Sequence, residues 1–273
     1  MEQTLKGIPE TLLIPLWAKA VETKLSNPIV KDYKAVEMLE QIDYDFKKFY
    51  DEWATQISIA VRTEILDNAT KAFIHKNHDS VIVNIGCGLD TRYSRLDNGK
   101  ILWYDLDLPE SIKFRKQFFK ETDRYHMIAK SVFDYRWIQE IPKSKPVLII
   151  AEGVFMYFTK KEVIELIDKL VEAFHGAEML VETIPNSLVK QSKKQDLIKK
   201  QYQMNVQFNW GVKNGRDLEK LNKQIKFIEE WHYFDYHRDR WKSIRWLSLI
   251  PLFKNRFGNR IVHLSYTDTN RNF

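Results

Sequence analysis

The chain has 273 residues, 44% of them hydrophobic, which is enough for one sizeable core in a single domain. Its net charge of +6 comes from 43 basic and 37 acidic residues spread along the chain, so we expect no nucleic-acid partner. The single cysteine, Cys87, excludes an intramolecular disulfide. There is no signal-peptide pattern and no apolar run long enough to span a membrane, so we expect a soluble, cytoplasmic protein without a membrane partner.

The first 78 residues predict a helical cover rather than part of a sheet. Prolines among apolar residues at 1–30 indicate short helical pieces. Apolar residues at three- and four-residue spacing predict helices over 33–50 and 57–75. Arg62 lies beside the apolar face of the second of these helices, where a surface salt bridge is its plainest explanation.

From residue 80 onward, strand and helix patterns alternate, which indicates right-handed crossovers and a mostly parallel sheet. The last strand follows another strand closely, so the two are expected to pair antiparallel. Short apolar runs predict strands at 81–85, 101–105, 125–129, 147–152, 178–183, 225–231 and 261–267. Helices are predicted at 91–98, 110–121, 134–140, 159–174 and 187–205.

The predicted organisation is one domain over residues 1–273. It comprises the helical cover at 1–78, a cofactor-binding core at 79–185, an insertion at 186–222 and the C-terminal strands at 223–273. The insertion fits the alternating pattern poorly. It is either a lid that forms a substrate wall or a solvated helix followed by a packed loop.

A Gly-x-Gly turn follows the first predicted strand. Gly86 and Gly88 tolerate backbone angles that other residues resist, and they leave room for a ligand. Asp105 and Asp107 end the second strand about 20 residues later, where an acid can hold the hydroxyls of a ribose. Strand, glycine turn and helix in this order are typical of a nucleotide-binding crevice.

The turn by itself leaves several functions open. A nicotinamide oxidoreductase uses the same turn and acid, but Thr91 occupies the position of its third glycine. A tight turn in an unrelated α/β protein, with the acids as strand-end caps, is the structural alternative. A non-catalytic binding module is a third possibility, because fold does not fix function.

Five segments of the chain together resemble one family, and the resemblance runs from about residue 12 to the end. It is carried by AVRTEILD at 60–67, NIGCGLDTR at 84–92, YDLDLPE at 104–110, SVFD at 131–134 and AEGVFMYF at 151–158. The chain resembles the leucine carboxyl methyltransferase-like O-methyltransferases, in their bacterial polyketide branch. The resemblance implies S-adenosylmethionine as cofactor and a class I Rossmann-like α/β fold: a seven-stranded, mostly parallel sheet with helices on both faces, an N-terminal helical cover and an inserted lid.

The resemblance also implies a role for particular residues. Arg62 matches the arginine that pairs with the methionine carboxylate of the cofactor, a contact that suits a guanidinium fork. Gly86 and Gly88 match the turn that approaches the cofactor, and Asp107 matches the acid at the ribose, with Asp105 as its near rival. The remaining matches are Asp134 near the adenine, Glu152 near the cofactor's amino-acid part, Tyr157 near the transferred methyl group, and Lys24 as an N-terminal cofactor-binding lysine.

The implied reaction is methyl transfer to a carboxylate or hydroxyl of a small, polyketide-like molecule. The alternatives are a protein C-terminal carboxyl methyltransferase and the non-catalytic module. A carboxylate acceptor needs no base, and Arg92 or Arg95 could position it. A hydroxyl acceptor would use a general base, for which His232 and His237 are available. The scattered histidines and lone cysteine lack metal-ligand spacing, so no metal site is expected.

Overall fold

The computed structural model describes residues 10–194 and 207–267. Its N-terminal part is helical, as predicted: a short 3-10 turn at Glu10–Leu12 leads into α1 (Leu13–Thr23), followed by α2 (Tyr33–Gln41) and the long α3 (Trp53–Lys76). The prediction of one helix over 33–50 was wrong. The helix ends at Gln41, and a separate 3-10 helix at Phe46–Phe49 begins where Asp45 caps the backbone N–H of Lys47.

A seven-stranded sheet forms the centre of the molecule, and all seven predicted strands lie within two residues of their expected bounds. They are β1 (Val81–Ile85), β2 (Leu102–Asp107), β3 (Tyr125–Ala129), β4 (Val147–Ala151), β5 (Glu178–Thr183), β6 (Ile225–His232) and β7 (Arg260–Tyr266). Their order is β3-β2-β1-β4-β5-β7-β6. The first five strands are parallel, and β7 is antiparallel to both β5 and β6, as expected for the last strand.

The connecting helices differ from prediction mainly in length and type. The helix expected at 110–121 ends at residue 115, and the one expected at 134–140 is a 3-10 helix. The end of the helix expected at 187–205 lies outside the described residues. The observed α-helices are α4 (Arg92–Leu96), α5 (Pro109–Arg115), α6 (Lys160–Ala173), α7 (Asn186–Lys194), α8 (Ile244–Leu247) and α9 (Pro251–Phe257). Further 3-10 turns lie at Tyr135–Glu140, Phe155–Tyr157, Gly215–Lys220, Tyr233–Asp235 and Arg238–Trp241.

Helices cover both faces of the sheet. Successive residues of β1 alternate between two cores, because side chains of a strand point to opposite faces. Ile82 packs with α1, α2 and α3 on one face, and Val81 and Val83 pack with α6 on the other. Burial on both faces explains why the central strands are nearly continuous apolar runs. The carboxyl ends of the parallel strands therefore meet at one edge, where open α/β sheets bind ligands.

Candidate functional site

The glycine turn after β1 has the backbone conformation that requires glycine. Gly86 has φ +64° and Gly88 has φ +46°, in the left-handed region. A Cβ on Gly86 would lie 2.3 Å from a methyl carbon of Val154, and one on Gly88 would lie 2.8 Å from a side-chain carbon of Leu12. The turn is thus held closely between the loop after β4 and the N-terminal helical cover.

A cavity of about 670 Å³, partly open to solvent, lies at this turn. It brings together five of the predicted site residues: Arg62, Gly86, Gly88, Glu152 and Tyr157. The other lining residues come from the N-terminal helices, β1 and the loops after β1 and β4; they are Thr11, Leu12, Pro15, Lys19, Asn84, Cys87, Leu89, Asp90 and Gly153.

Arg62 lies between two carboxylates in the cavity wall. Its guanidinium contacts Glu182 at 2.9 Å and Glu152 at 2.7 Å, whereas its buried Nε has no hydrogen-bond partner among the described residues. Burial by itself would lower the pKa of Arg62, but the two carboxylates outweigh it and raise that pKa. The side chain is therefore a permanent cation in the cavity wall.

Glu152, directly after β4, is held by a second arginine. Arg92 donates to Glu152 at 2.7 Å, to Asp90 at 2.6 Å and to Asp67 at 2.8 Å. Burial favours the neutral form of Glu152, yet Arg62 and Arg92 lower its pKa, so it is ionised. Arg92 is itself almost fully buried. The prediction that it positions an acceptor at the mouth of the cavity is therefore wrong.

Arg95 also forms ion pairs with acids inside the protein. It donates to Asp32 at 2.6 Å and to Asp67 at 2.8 Å, so it does not position an acceptor either. Asp32 lies at the start of α2 and accepts the hydroxyl of Thr91 as well. These contacts link the helical cover to the loop that follows the glycine turn.

The N-terminal lysine at the cavity is Lys19, not Lys24. The predicted Lys24 lies more than half exposed after α1 and pairs with the exposed Glu40, at 3.3 Å. Lys19 is buried, lines the cavity, and lies 3.5 Å from Asp90 and 3.1 Å from the Thr91 hydroxyl. Residue spacing could not distinguish the two lysines, because only the direction of α1 over the glycine turn decides which one points inward.

Asp105 and Asp107 have different surroundings, although both belong to β2. Asp105 is fully buried and accepts hydrogen bonds from Asn84, Trp103, Arg115 and Tyr125, at 2.5–3.0 Å. Asp107, at the strand end, accepts the backbone N–H of Gly88 at 2.7 Å and that of Leu108 at 2.7 Å. Burial raises the pKa of Asp107 despite these bonds. Asp107 thus holds the glycine turn and has acceptor capacity left.

Asp134 lies outside the cavity. It caps the 3-10 helix at Tyr135–Glu140, and both its oxygens bind the exposed guanidinium of Arg136, at 2.7 and 2.6 Å. The hydrogen bonds from Arg136 lower the pKa of Asp134 to about 2. This is the helix-capping geometry, and it does not support the predicted contact with an adenine.

Neither candidate base lines the cavity. His237 binds Glu64 at 2.7 Å, and the buried His232 lies 3.6 Å from Glu230 at the far edge of the sheet. Tyr157 does line it: its ring contacts Phe208, with 5.8 Å between ring centroids, and it is partly exposed.

Besides Lys19, three further ionisable residues of this site were not predicted from the sequence. Asp90 lines the cavity, Glu182 near the end of β5 binds Arg62, and the buried hydroxyl of Tyr233 donates to Glu182 at 2.8 Å. Glu182 could have been found by the rule that singled out Glu152, since both acids occur at the carboxyl ends of neighbouring parallel strands.

The described residues lack a metal cluster and a membrane-spanning helix. Within 10–194 and 207–267, no group of three or more histidine, cysteine or acidic side chains is placed to hold a metal ion. In the same ranges, no helix has the length and apolar character needed to cross a membrane.

Solved structures share this fold. A DUF574 family protein from Streptomyces avermitilis aligns with TM-score 0.61 at 8% identity, over 97% of this chain and 99% of its own. The magnesium protoporphyrin IX methyltransferase ChlM from Synechocystis, with bound S-adenosylhomocysteine, aligns with TM-score 0.51 at 12% identity, over 86% and 94%. The predicted Rossmann-like methyltransferase fold is confirmed.

Sequence comparison defines the family. Residues 13–171 match the leucine carboxyl methyltransferase family, and the chain belongs to that family. The tetracenomycin polyketide synthesis O-methyltransferase TcmP of Streptomyces glaucescens is 29% identical over 267 residues, covering 96% of this chain and 98% of its own. The S-adenosyl-L-methionine-dependent methyltransferase dpfgK of Gibberella zeae is 28% identical, covering 86% of each. These matches agree with the predicted family and cofactor.

Proposed function

We propose that this chain is an S-adenosylmethionine-dependent O-methyltransferase that acts on a small, polyketide-like molecule. The observation that carries the proposal is the cavity at the glycine turn, whose wall contains the buried cation of Arg62 together with the ionised acids Glu152 and Asp90. The family supports the reaction class, and the name of the relative TcmP supports the acceptor class.

The charges of the wall fit the amino-acid part of the cofactor, which carries an ammonium, a carboxylate and a sulfonium. The guanidinium of Arg62 suits the carboxylate, with Lys19 as a second cation in the wall. Glu152 and Asp90 suit the ammonium, because both are held ionised by neighbouring cations. Lys24 and Asp134 have no part in this proposal, since their side chains bind other groups at the surface.

The ribose is assigned to Asp107. Its oxygens already accept the backbone N–H groups of Gly88 and Leu108, and a carboxylate has further lone pairs for a hydroxyl. Gly88 and Gly86 let the backbone approach the ligand there. Asp105 is unsuited to the ribose, because its bonds to four buried donors use its acceptor capacity.

When bound, the cofactor supplies an activated methyl electrophile, so the protein mainly has to orient the reactants and exclude water. Tyr157 lines the cavity and contacts Phe208, and we assign the acceptor to this side of the cavity. Arg62 and Glu152 hold each other through their ion pair, which fixes the orientation of the groups around the methionine part.

The ionisation of the wall favours a carboxylate acceptor over a hydroxyl. A general base works best with a pKa near the working pH. Neighbouring cations lower the pKa of Asp90 and Glu152, and burial raises the pKa of Tyr157 and of Cys87. These four groups are therefore poor general bases at neutral pH. A carboxylate acceptor needs no general base, because it is already ionised at that pH.

Calorimetric titration with S-adenosylhomocysteine tests the cofactor site first. We expect micromolar binding by the wild type and at least about tenfold weaker binding by Arg62→Ala and by Asp107→Ala, since each loses a charge-assisted hydrogen bond. Arg136→Ala and Asp134→Ala are matched controls of the same residue types outside the cavity. Absence of binding by a folded wild type would refute the methyltransferase proposal.

The acceptor is tested by methyl transfer from labelled S-adenosylmethionine. Aromatic polyketide-like carboxylic acids, their phenol analogues and a peptide with a free C-terminal leucine are compared. We expect transfer to the carboxylic acids, at a rate that is flat between neutral and alkaline pH. Exclusive transfer to the peptide would favour the protein carboxyl methyltransferase, and a rate that rises with pH on the phenols would favour a hydroxyl acceptor. Binding without transfer to any acceptor would favour the non-catalytic module.

A further inference from the structure

A cluster of large apolar side chains is exposed on the connection between β6 and β7. Trp246 is 64% exposed and Leu252 is 76% exposed. We call this cluster the apolar patch; it comprises Trp246, Leu247, Leu249, Ile250 and Leu252. Single exposed apolar residues are ordinary, but five exposed ones within seven consecutive positions concentrate apolar surface on one short segment, which indicates an apolar contact.

The chain around the patch carries charge of one sign. From residue 240 to residue 260 there is no acidic residue, and there are six basic ones: Arg240, Lys242, Arg245, Lys254, Arg256 and Arg260. Three of these, Arg240, Lys254 and Arg260, pair with acids elsewhere in the fold. Lys242, Arg245 and Arg256 form no ion pair within the described part of the chain, and all three are exposed.

The patch continues into an open groove of about 1750 Å³ between α7 and α9, which we call the basic groove. Its lining includes three cations, Lys190, Lys213 and Arg256, and no acid. Leu252 and Phe257 line it as well, so it joins the patch directly. The hydroxyl of Ser187 on α7 donates to the carbonyl of Arg256 and ties the two walls together.

Aromatic rings and cations lie side by side on this surface. The guanidinium of Arg245 lies 4.8 Å from the ring centre of Trp246, and that of Arg256 lies 5.6 Å from the ring of Phe257. Tryptophan favours the boundary between lipid and water, and long basic side chains can place their stems in an apolar layer while their charges stay at headgroup level. A second copy of this chain would bring the same positive charges face to face, which disfavours self-association through the patch.

We propose that the apolar patch and the basic groove bind the surface of an anionic membrane. The apolar side chains enter the outer part of the lipid layer, and the cations of the groove contact lipid phosphates. Because β6 runs parallel to β1 and ends at His232, the connection that carries the patch emerges at the same edge of the sheet as the cavity. This proposal differs from the expectation, drawn from the sequence, that the protein has no membrane partner. It concerns binding to the membrane surface and no crossing of the membrane.

Vesicle flotation tests the proposal without any methyl acceptor, so its outcome is independent of the proposed activity. We expect the wild type to float with vesicles of phosphatidylcholine and phosphatidylglycerol but not with phosphatidylcholine alone. Trp246→Ser with Leu252→Ser should weaken binding at least about tenfold, and so should Lys190→Glu with Arg256→Glu. Lys120→Glu with Lys161→Glu makes the same change of net charge elsewhere, and Tyr33→Ser removes another exposed aromatic ring; both should bind like the wild type.

Three results would overturn the proposal. The first is that the folded wild type does not bind anionic vesicles. The second is that the Lys120→Glu, Lys161→Glu control loses as much binding as Lys190→Glu with Arg256→Glu, which would mean that net charge alone is responsible. The third is a wild-type dimer in analytical ultracentrifugation that Trp246→Ser with Leu252→Ser converts to a monomer, which would identify a second copy as the partner. Circular dichroism of each variant checks that it is folded.

Discussion

Replacing Asp105 and Asp107 separately by asparagine distinguishes a structural acid from a binding acid on the same strand. Asp105 neutralises the buried guanidinium of Arg115, whose Nη2 lies 2.6 Å from it. Breaking one side of a buried ion pair typically costs about 3–5 kcal/mol. Asparagine keeps the shape and part of the hydrogen bonding, so we expect Asp105→Asn to lose about 3 kcal/mol of the free energy of unfolding. For a chain of this size that lowers the melting temperature by about 6–12 °C.

Asp107→Asn should behave in the opposite way. Burial raises the pKa of Asp107, so the folded state holds the charged carboxylate at a cost at neutral pH. The amide removes that cost, and its remaining oxygen can still accept one backbone N–H. We therefore expect a melting temperature at pH 7 that is unchanged or slightly higher, and a difference from the wild type that shrinks as the pH falls and Asp107 becomes protonated.

The assay is thermal melting of both variants together with calorimetric titration of S-adenosylhomocysteine. Asp107→Asn should bind the ligand about 10–100-fold more weakly, because a hydrogen bond to a charged acceptor is lost. Wild-type affinity in Asp107→Asn would refute the assignment of the ribose to this acid. A wild-type melting temperature in Asp105→Asn would refute the reasoning that the buried pair with Arg115 stabilises the fold.

Three further predictions concern the site and the edge of the sheet. Lys19→Met should lower the free energy of unfolding by about 2 kcal/mol in chemical denaturation, because it removes a buried hydrogen-bonded cation beside Asp32 and Asp90, which keep Arg95 and Arg92 as counter-charges. Lys24→Met should have no measurable effect, because its pair with Glu40 is exposed. Gly88→Ala should lower the melting temperature, since a left-handed backbone costs about 1–2 kcal/mol for a residue with a Cβ and this Cβ would also contact Leu12; an unchanged melting curve would contradict this. Burial raises the pKa of Glu230, but hydrogen bonds and a nearby guanidinium outweigh it and bring the pKa to about 2. The stabilisation that Glu230 contributes should therefore be lost as the pH falls from about 4.5 to 2. Glu230→Gln should have a lower melting temperature than the wild type at pH 7 and the same melting temperature at pH 2.

The sequence by itself determined the sheet and the position of the cavity. Short β-branched runs such as 147–151 predict strands, because a parallel strand covered on both faces must be apolar throughout. The glycines at 86 and 88 predict the turn, since only glycine adopts its backbone angles without strain. Both signals are local, so they can be read without knowing what packs against them. The two helical errors, at 33–50 and 110–121, concern helix ends, where the choice between an α-helix and a turn depends on capping and on packing outside the segment.

Only the tertiary structure decided which charged residues face the cavity. Asp105 and Asp107 have the same chemistry and nearly the same distance from the glycine turn, yet one is buried against Arg115 and the other ends the strand. Lys19 lies within α1 and faces that turn, whereas Lys24 follows the end of the helix and is exposed. Arg92 and Arg95 could not be assigned to the interior from sequence, because all the acids that neutralise them except Asp90 come from distant segments. Whether a charged side chain is buried depends on its ion-pair partners from other segments. The packing of the helical cover on the sheet determines which partners come within reach.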